Sequence, residues 1–243
     1  IYTLSLHDAL PILASKKDVA VLLVAFGSTW DNAFKAFDKT KAAYEAAFPQ
    51  ADVYVCFSSD ICINRASVGE NYDDNGNLVK RDYYEPRYLL HAIGAAKYSK
   101  IYVQSLQVIP GEEFAAVVAS VKKFMNNGYM GSAHLDDDYL AKLADDEAIF
   151  FGMPLLNDPD VDVPEVARQL HALYGSEAQQ GTVAFMGHGN PDNYDTFKAN
   201  VRYTQLEEAL QTYSPNYFVG TVDMEDNYKQ DVLARMEEKG IES

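Results

Sequence analysis

The run TVAFMGHGNPD, residues 182–192, sets one histidine between two glycines at the end of a short apolar stretch. An imidazole held there beside bare backbone is free to serve as a ligand or a base. A second run, SLQVIPGEEF at residues 105–114, ends in adjacent carboxylates, Glu112 and Glu113, behind a Pro-Gly turn. Taken alone, a glutamate pair at a helix start favours the helix through its dipole, and Gly-His-Gly fits a tight turn. Taken together, a neutral imidazole and a carboxylate make a mixed nitrogen and oxygen donor set for a first-row divalent metal. The same pair could take protons from a substrate nitrogen. His188 and Glu113 are therefore the candidates for both metal binding and catalysis.

Other chemistries find less support. The glycines around His188 lack the spacing of a dinucleotide loop and the lysine of a P-loop, and no G-x-S-x-G elbow occurs. His91, His134 and His171 are isolated and read as structural. The run Asp136-Asp137-Asp138 reads as a helix start with a solvated face. Cys56 and Cys62 stand C-x5-C with no second pair, which suits ordinary thiols near a core better than a zinc site or a disulfide framework.

These residues need elements to position them. VAVLLVAF, residues 19–26, is a continuous apolar run rich in β-branched residues, as in a strand covered on both faces. Gly27-Ser28-Thr29 follows, then a helical pattern over 31–48 in which Ala33, Phe37, Tyr44 and Phe48 recur. Further strands are expected at 52–57 and 100–106, with a helix opened by Glu85-Pro86 between them and another over 112–124. The polar stretch 69–82 carries an Asn-Gly turn signal and reads as a solvated loop or hairpin over the site. A second series begins near Ala148 with AIFFGMPLL as its first strand. Helices are expected at 164–174, 195–213 and 227–239, and strands at 182–186 and 216–222.

Alternating strands and helices predict parallel sheets with right-handed crossovers. Two series predict two α/β domains, residues 13–147 and 148–243, with a cleft between them across which His188 and Glu113 face one another. Ligands of such sheets bind at the carboxyl ends of the strands, and Ser28, Gln107, Glu113, Gly152, His188 and Asp223 all fall there. Ser28 and Gln107 are the candidates for substrate contact. The second series ends on a helix with no strand to follow, so its domain is expected to be incomplete and the chain cut short. Residues 1–12 share no pattern with the rest and read as a non-native leader.

The chain has 243 residues, 48% of them hydrophobic, enough for a substantial core. A net charge of −16 argues against nucleic acid as a partner. No apolar run reaches the length of a membrane span. The cytoplasm is the expected compartment, with the periplasm as the alternative if Leu13-Ala14-Ser15 ends a signal peptide.

Five short motifs in order, VAFGSTW, QSLQVIPGEEF, GMPLL, FMGHG and GTVD, resemble the anaerobic type of sirohydrochlorin cobaltochelatase. The resemblance runs from Asp18 to the end. It implies the class II chelatase fold of two similar α/β domains, and a lyase that inserts Co2+ into sirohydrochlorin on the cobalamin pathway without ATP. It further implies divalent cobalt as substrate metal, no organic cofactor, the tetrapyrrole as partner, and compatibility with a homo-oligomer. Carried over, the family's metal histidine falls on His188 and its glutamate on Glu113, with a further metal histidine expected beyond Ser243. The family often has histidine at the position of Gln107, and Met224-Glu225-Asp226 replaces its usual continuation after GTVD. Two other readings stay open: a tetrapyrrole- or metal-binding protein without turnover, and a flavodoxin-like or periplasmic-binding scaffold with unrelated ligands.

Overall fold

The computed structural model describes residues 17–68, 71–72, 77–79, 83–127 and 134–240. The leader expected at 1–12 and any segment beyond Ser243 lie outside the described residues. Clustering of the backbone divides the chain into two compact units, Ile1–Gln107 with Ala116–Met153, and Val108–Ala115 with Pro154–Ser243.

In the first unit, β1 (Val19–Ala25), β2 (Ala51–Phe57), β5 (Lys100–Ser105) and β6 (Ile149–Gly152) form a parallel sheet in the order β2-β1-β5-β6. Helices α1 (Asp31–Ala47), α2 (Asp60–Ser67), α3 (Pro86–Ala95), α4 (Glu112–Met125) and α5 (Asp137–Asp145) connect the strands. The apolar run of β1 is explained by its two faces. Ala20, Leu22 and Val24 join Leu90, Ile93, Val117, Phe124 and Leu140 in one core. Val21 and Leu23 join Val53 and Tyr44 in another. A strand covered on both sides has no solvated face on which to alternate polar residues. The caps are local: Ser59 accepts from the N–H of Cys62 to start α2, and Asp136 from those of Asp138 and Tyr139 to start α5. The triple aspartate is the helix start that its sequence suggests. In the polar stretch, β3 (Asn71–Tyr72) pairs antiparallel with β4 (Leu78–Val79) as a short hairpin.

The second unit holds α6 (Asp162–Gln180), β7 (Val183–Gly187), α7 (Val201–Gln211), β8 (Tyr217–Thr221) and α8 (Lys229–Glu238). Among the described residues its sheet is the parallel pair β7-β8. Its core joins Leu156, Val163, Ala167, Tyr203, Leu206, Leu210, Tyr217 and Val219.

The expected boundary at Ala148 is corrected. AIFFG does not open the second series, because Ile149, Phe150 and Phe151 pair with Ile101, Tyr102 and Val103 of β5 and close the first sheet. The division falls after Met153, and residues 108–115 belong with the second unit. There the N–H of Leu156 donates to the carbonyl of Val108 at 2.8 Å, and Ile109 packs in the core around Leu156 and Tyr203. The second series thus has two described strands where three were expected. No helix among the described residues is long and apolar enough to cross a membrane.

Candidate functional site

The Gly-His-Gly turn is dictated by packing on both sides of His188. A Cβ on Gly187 would lie 2.3 Å from the ring of Tyr203, which is buried on α7. Gly189 has φ +72° and sits against Thr221 and Met224, where a Cβ would meet atoms at 3.0–3.2 Å. A residue with a Cβ pays strain at such a φ. Both glycines are therefore required by their surroundings, and the histidine between them is not.

Backbone bonds then fix where His188 stands. Its carbonyl accepts the N–H of Val222 at 3.0 Å and of Asp223 at 2.9 Å. These extend the parallel ladder in which Gly187 lies opposite Thr221. Tyr203 packs under this turn; burial raises the pKa of its hydroxyl, and the nearby backbone N–H groups of Gly189 and His188 offset part of that rise. The ladder brings the Asp223 carboxylate to the imidazole, with Oδ2 3.4 Å from Nδ1. Nδ1 is also 2.9 Å from the carbonyl oxygen of Gly189. Both neighbours can only accept, so they orient Nδ1 as a donor. The side chain is 68% exposed. A histidine whose inner nitrogen is tied to a carbonyl and a carboxylate is oriented as metal-binding imidazoles are.

Glu113 lies in the first turn of α4, and its expected place on the domain opposite His188 is corrected: residues 108–115 share the unit of His188. The carboxylate that reaches the histidine's loop is Glu112. Its Oε1 accepts the N–H of Thr196 at 2.6 Å and also the Thr196 hydroxyl. Burial would raise its pKa, but the Thr196 hydroxyl and the backbone N–H groups of Thr196 and Phe197 outweigh this and hold the carboxyl below its usual range. Gly111 allows the approach, since a Cβ there would stand 3.0 Å from the Asn190 amide nitrogen. Among the described residues, no three His, Cys, Asp or Glu are grouped to hold a metal ion.

The substrate candidates lie in the first unit. Ser28 Oγ accepts the N–H of Trp30 at 3.1 Å in the turn after β1. Gln107 is buried after β5: the Ser105 hydroxyl donates to its Oε1, while its Nε2 has no partner among the described residues. His171, taken as structural, bonds Tyr217 Oη through Nδ1 at 2.9 Å and stacks on Tyr213. Cys56 and Cys62 are free thiols. The sequence reading placed Asp223 at a strand end without joining it to His188, and it missed Tyr203 and Glu112.

Helix-flanked parallel sheets, with a histidine and a carboxylate meeting at adjacent strand exits, define an α/β protein whose polar side chains gather at the carboxyl ends of its strands. The chain belongs to the cobalt chelatase (CbiK) family, which it matches over residues 19–243. It is 26% identical over 207 residues to the sirohydrochlorin cobaltochelatase CbiKC of Nitratidesulfovibrio vulgaris, an alignment covering 83% of this chain and 61% of that relative. The chain thus spans less than two thirds of that relative's length. Among solved structures, an ABC sugar transporter subunit from Rhodobacter sphaeroides aligns with 94% of this chain and 67% of its own, at 13% identity and a TM-score of 0.30. An ABC transporter substrate-binding protein from Desulfitobacterium hafniense, in complex with Leu, aligns with 92% and 57%, at 12% identity and a TM-score of 0.25. Both likenesses are too slight to speak to the fold or the site.

Proposed function

We propose that this protein is a metal chelatase that inserts Co2+ into sirohydrochlorin, without ATP, in anaerobic cobalamin synthesis. Family membership supports the reaction class. One geometric observation carries the reading at residue level: at a strand exit, His188 sets Nδ1 beside the Gly189 carbonyl and the Asp223 carboxylate while its side chain stays 68% exposed. Insertion releases the two pyrrole N–H protons as the four ring nitrogens bind the cation. His188 is the proposed ligand of the entering metal. Asp223 stands beside it, and Glu113 in the first turn of α4 remains the second carboxylate proposed; such groups balance the cation and accept the released protons. Ser28 and Gln107 remain candidates for substrate contact.

A second reading, a tetrapyrrole- or metal-binding protein without turnover, is favoured by the absence of a three-donor group among the described residues. Catalytic metal sites commonly use three protein ligands with one open position. Incubating the protein with sirohydrochlorin and Co2+ separates the two. The chelatase reading expects the free macrocycle's absorption to give way to that of the cobalt complex, and expects His188→Ala to lose this. Tight macrocycle binding with no metallation would move the conclusion to the second reading.

A further inference from the structure

The loop between β7 and α7 is more elaborate than a connection requires. Asn190 and Asn200 exchange bonds, the N–H of Asn190 to Asn200 Oδ1 at 2.9 Å and Asn200 Nδ2 to the carbonyl of Asn190 at 2.7 Å. The Asp195 carboxylate, in a residue only 6% exposed, accepts the N–H of Ala199 at 2.8 Å and of Asn200 at 3.1 Å. Glu112 holds the N–H and the hydroxyl of Thr196 from outside the loop. Between these ties stand Tyr194, 67% exposed, and Phe197, 58% exposed. Exposure alone distinguishes nothing, since Trp30 and Leu173 are as open. What sets this pair apart is a backbone fixed on every side while the rings are left in water.

Lys198 adds a second, independent sign. It is a non-glycine residue at φ +54°, a conformation that costs energy and persists where the surroundings enforce it, often at ligand clamps. Its ammonium is exposed beside Phe197 and has no side-chain partner among the described residues. Two presented rings and one cation, on the loop that begins at His188, match a flat conjugated ligand with carboxylates on its rim. Aromatic faces recognise the plane, and a lysine suits an acidic rim in a chain whose net charge is −16.

We infer that this loop is a macrocycle-binding lip, with Tyr194 and Phe197 against the tetrapyrrole face and Lys198 on a rim carboxylate. The inference rests on the chelatase reading and assigns the substrate a surface within the second unit.

The test is titration of the protein with sirohydrochlorin without metal, followed by macrocycle fluorescence, for the parent, Tyr194→Ala/Phe197→Ala, Phe197→Leu and Lys198→Gly. The double variant should bind at least about tenfold more weakly, with melting temperature and Co2+ affinity unchanged. Phe197→Leu keeps apolar bulk without the ring plane and guards against a misfolded double variant; it should lose part of the same affinity. Lys198→Gly suits the positive φ, so its loss should be purely electrostatic and should shrink as salt rises. A parent that binds, with all three variants binding equally well, overturns the lip and leaves the chelatase reading standing. A parent that does not bind sirohydrochlorin at all removes both.

Discussion

Asp52 and His188 both stand at ends of parallel strands, and their surroundings differ in every respect. Asp52 sits at the amino end of β2, 8% exposed. Its Oδ2 accepts the Tyr98 hydroxyl at 2.6 Å and the N–H of Lys17 at 2.7 Å, and Tyr54 Oη lies 2.7 Å from Tyr98 Oη. Burial, then the bond to Asp52, pushes the Tyr98 hydroxyl far up. These bonds join the segments at the amino ends of β1, β2 and β5. At the carboxyl ends of β7 and β8 the backbone is just as firmly bonded, yet His188 and Asp223 remain 68% and 39% exposed. A polar group closed into the fold serves stability, whereas one fixed by its backbone and still exposed is placed to meet a ligand.

Two substitutions should separate these roles most sharply. His188→Ala removes the proposed metal ligand, and cobalt affinity should fall by roughly a hundredfold or more, while the unfolding free energy moves by less than about 0.5 kcal/mol. Asp52→Ala should do the reverse. It removes the shared acceptor of the Tyr98 hydroxyl and the Lys17 N–H, while the Tyr54–Tyr98 contact stays, at a cost of about 1–3 kcal/mol, read by thermal unfolding, with cobalt affinity per folded molecule unchanged. If His188→Ala unfolded the protein, or Asp52→Ala emptied the metal site of a folded one, the contrast would collapse.

A third substitution asks how far the open site depends on closed packing. Gly187→Ala forces a methyl to within 2.3 Å of the Tyr203 ring. Overpacking of that kind costs about 1–3 kcal/mol. Because the Tyr203 ring packs against the turn that carries His188, displacing it should weaken cobalt binding as well. Parental melting temperature and parental affinity together would show that Tyr203 does not position the histidine.

Local pattern made most of the elements legible, and failures came where partners lie far apart in sequence. The VAVLLVA run announced a strand buried on both faces, and Glu85-Pro86 announced α3. AIFFG was read as a new beginning because its composition cannot say that β5 is its partner. The start of α7 was expected at Asp195, but that carboxylate bonds the N–H groups of Ala199 and Asn200 and holds an irregular turn, so the helix begins at Val201. At the site, His188 was visible because glycines isolate it. Asp223 was recorded at a strand end, yet only the register that sets Gly187 opposite Thr221 carries it to the imidazole. Glu112 and Glu113 were indistinguishable, since adjacent helix positions differ only in the direction they face.

That last ambiguity gives the smallest and most specific prediction. Glu112 is a carboxylate held by Thr196 and Phe197, and the depressed pKa means that its ionised form is the one those groups bind. Its contribution to stability should therefore be complete above the unfolded glutamate value, about 4.3. It should be lost as pH falls through the lower folded value. Glu112→Gln keeps the shape and one acceptor but exchanges charge-assisted bonds for neutral ones, a loss of about 1 kcal/mol at neutral pH. Urea unfolding of parent and variant should show that gap near pH 7, and the gap should close at pH values below the carboxyl's folded pKa. A gap that stays constant into acid would mean the Thr196 contact needs only an oxygen atom. Glu112 would then resemble the closed cluster at Asp52 in bonding without sharing its reliance on charge.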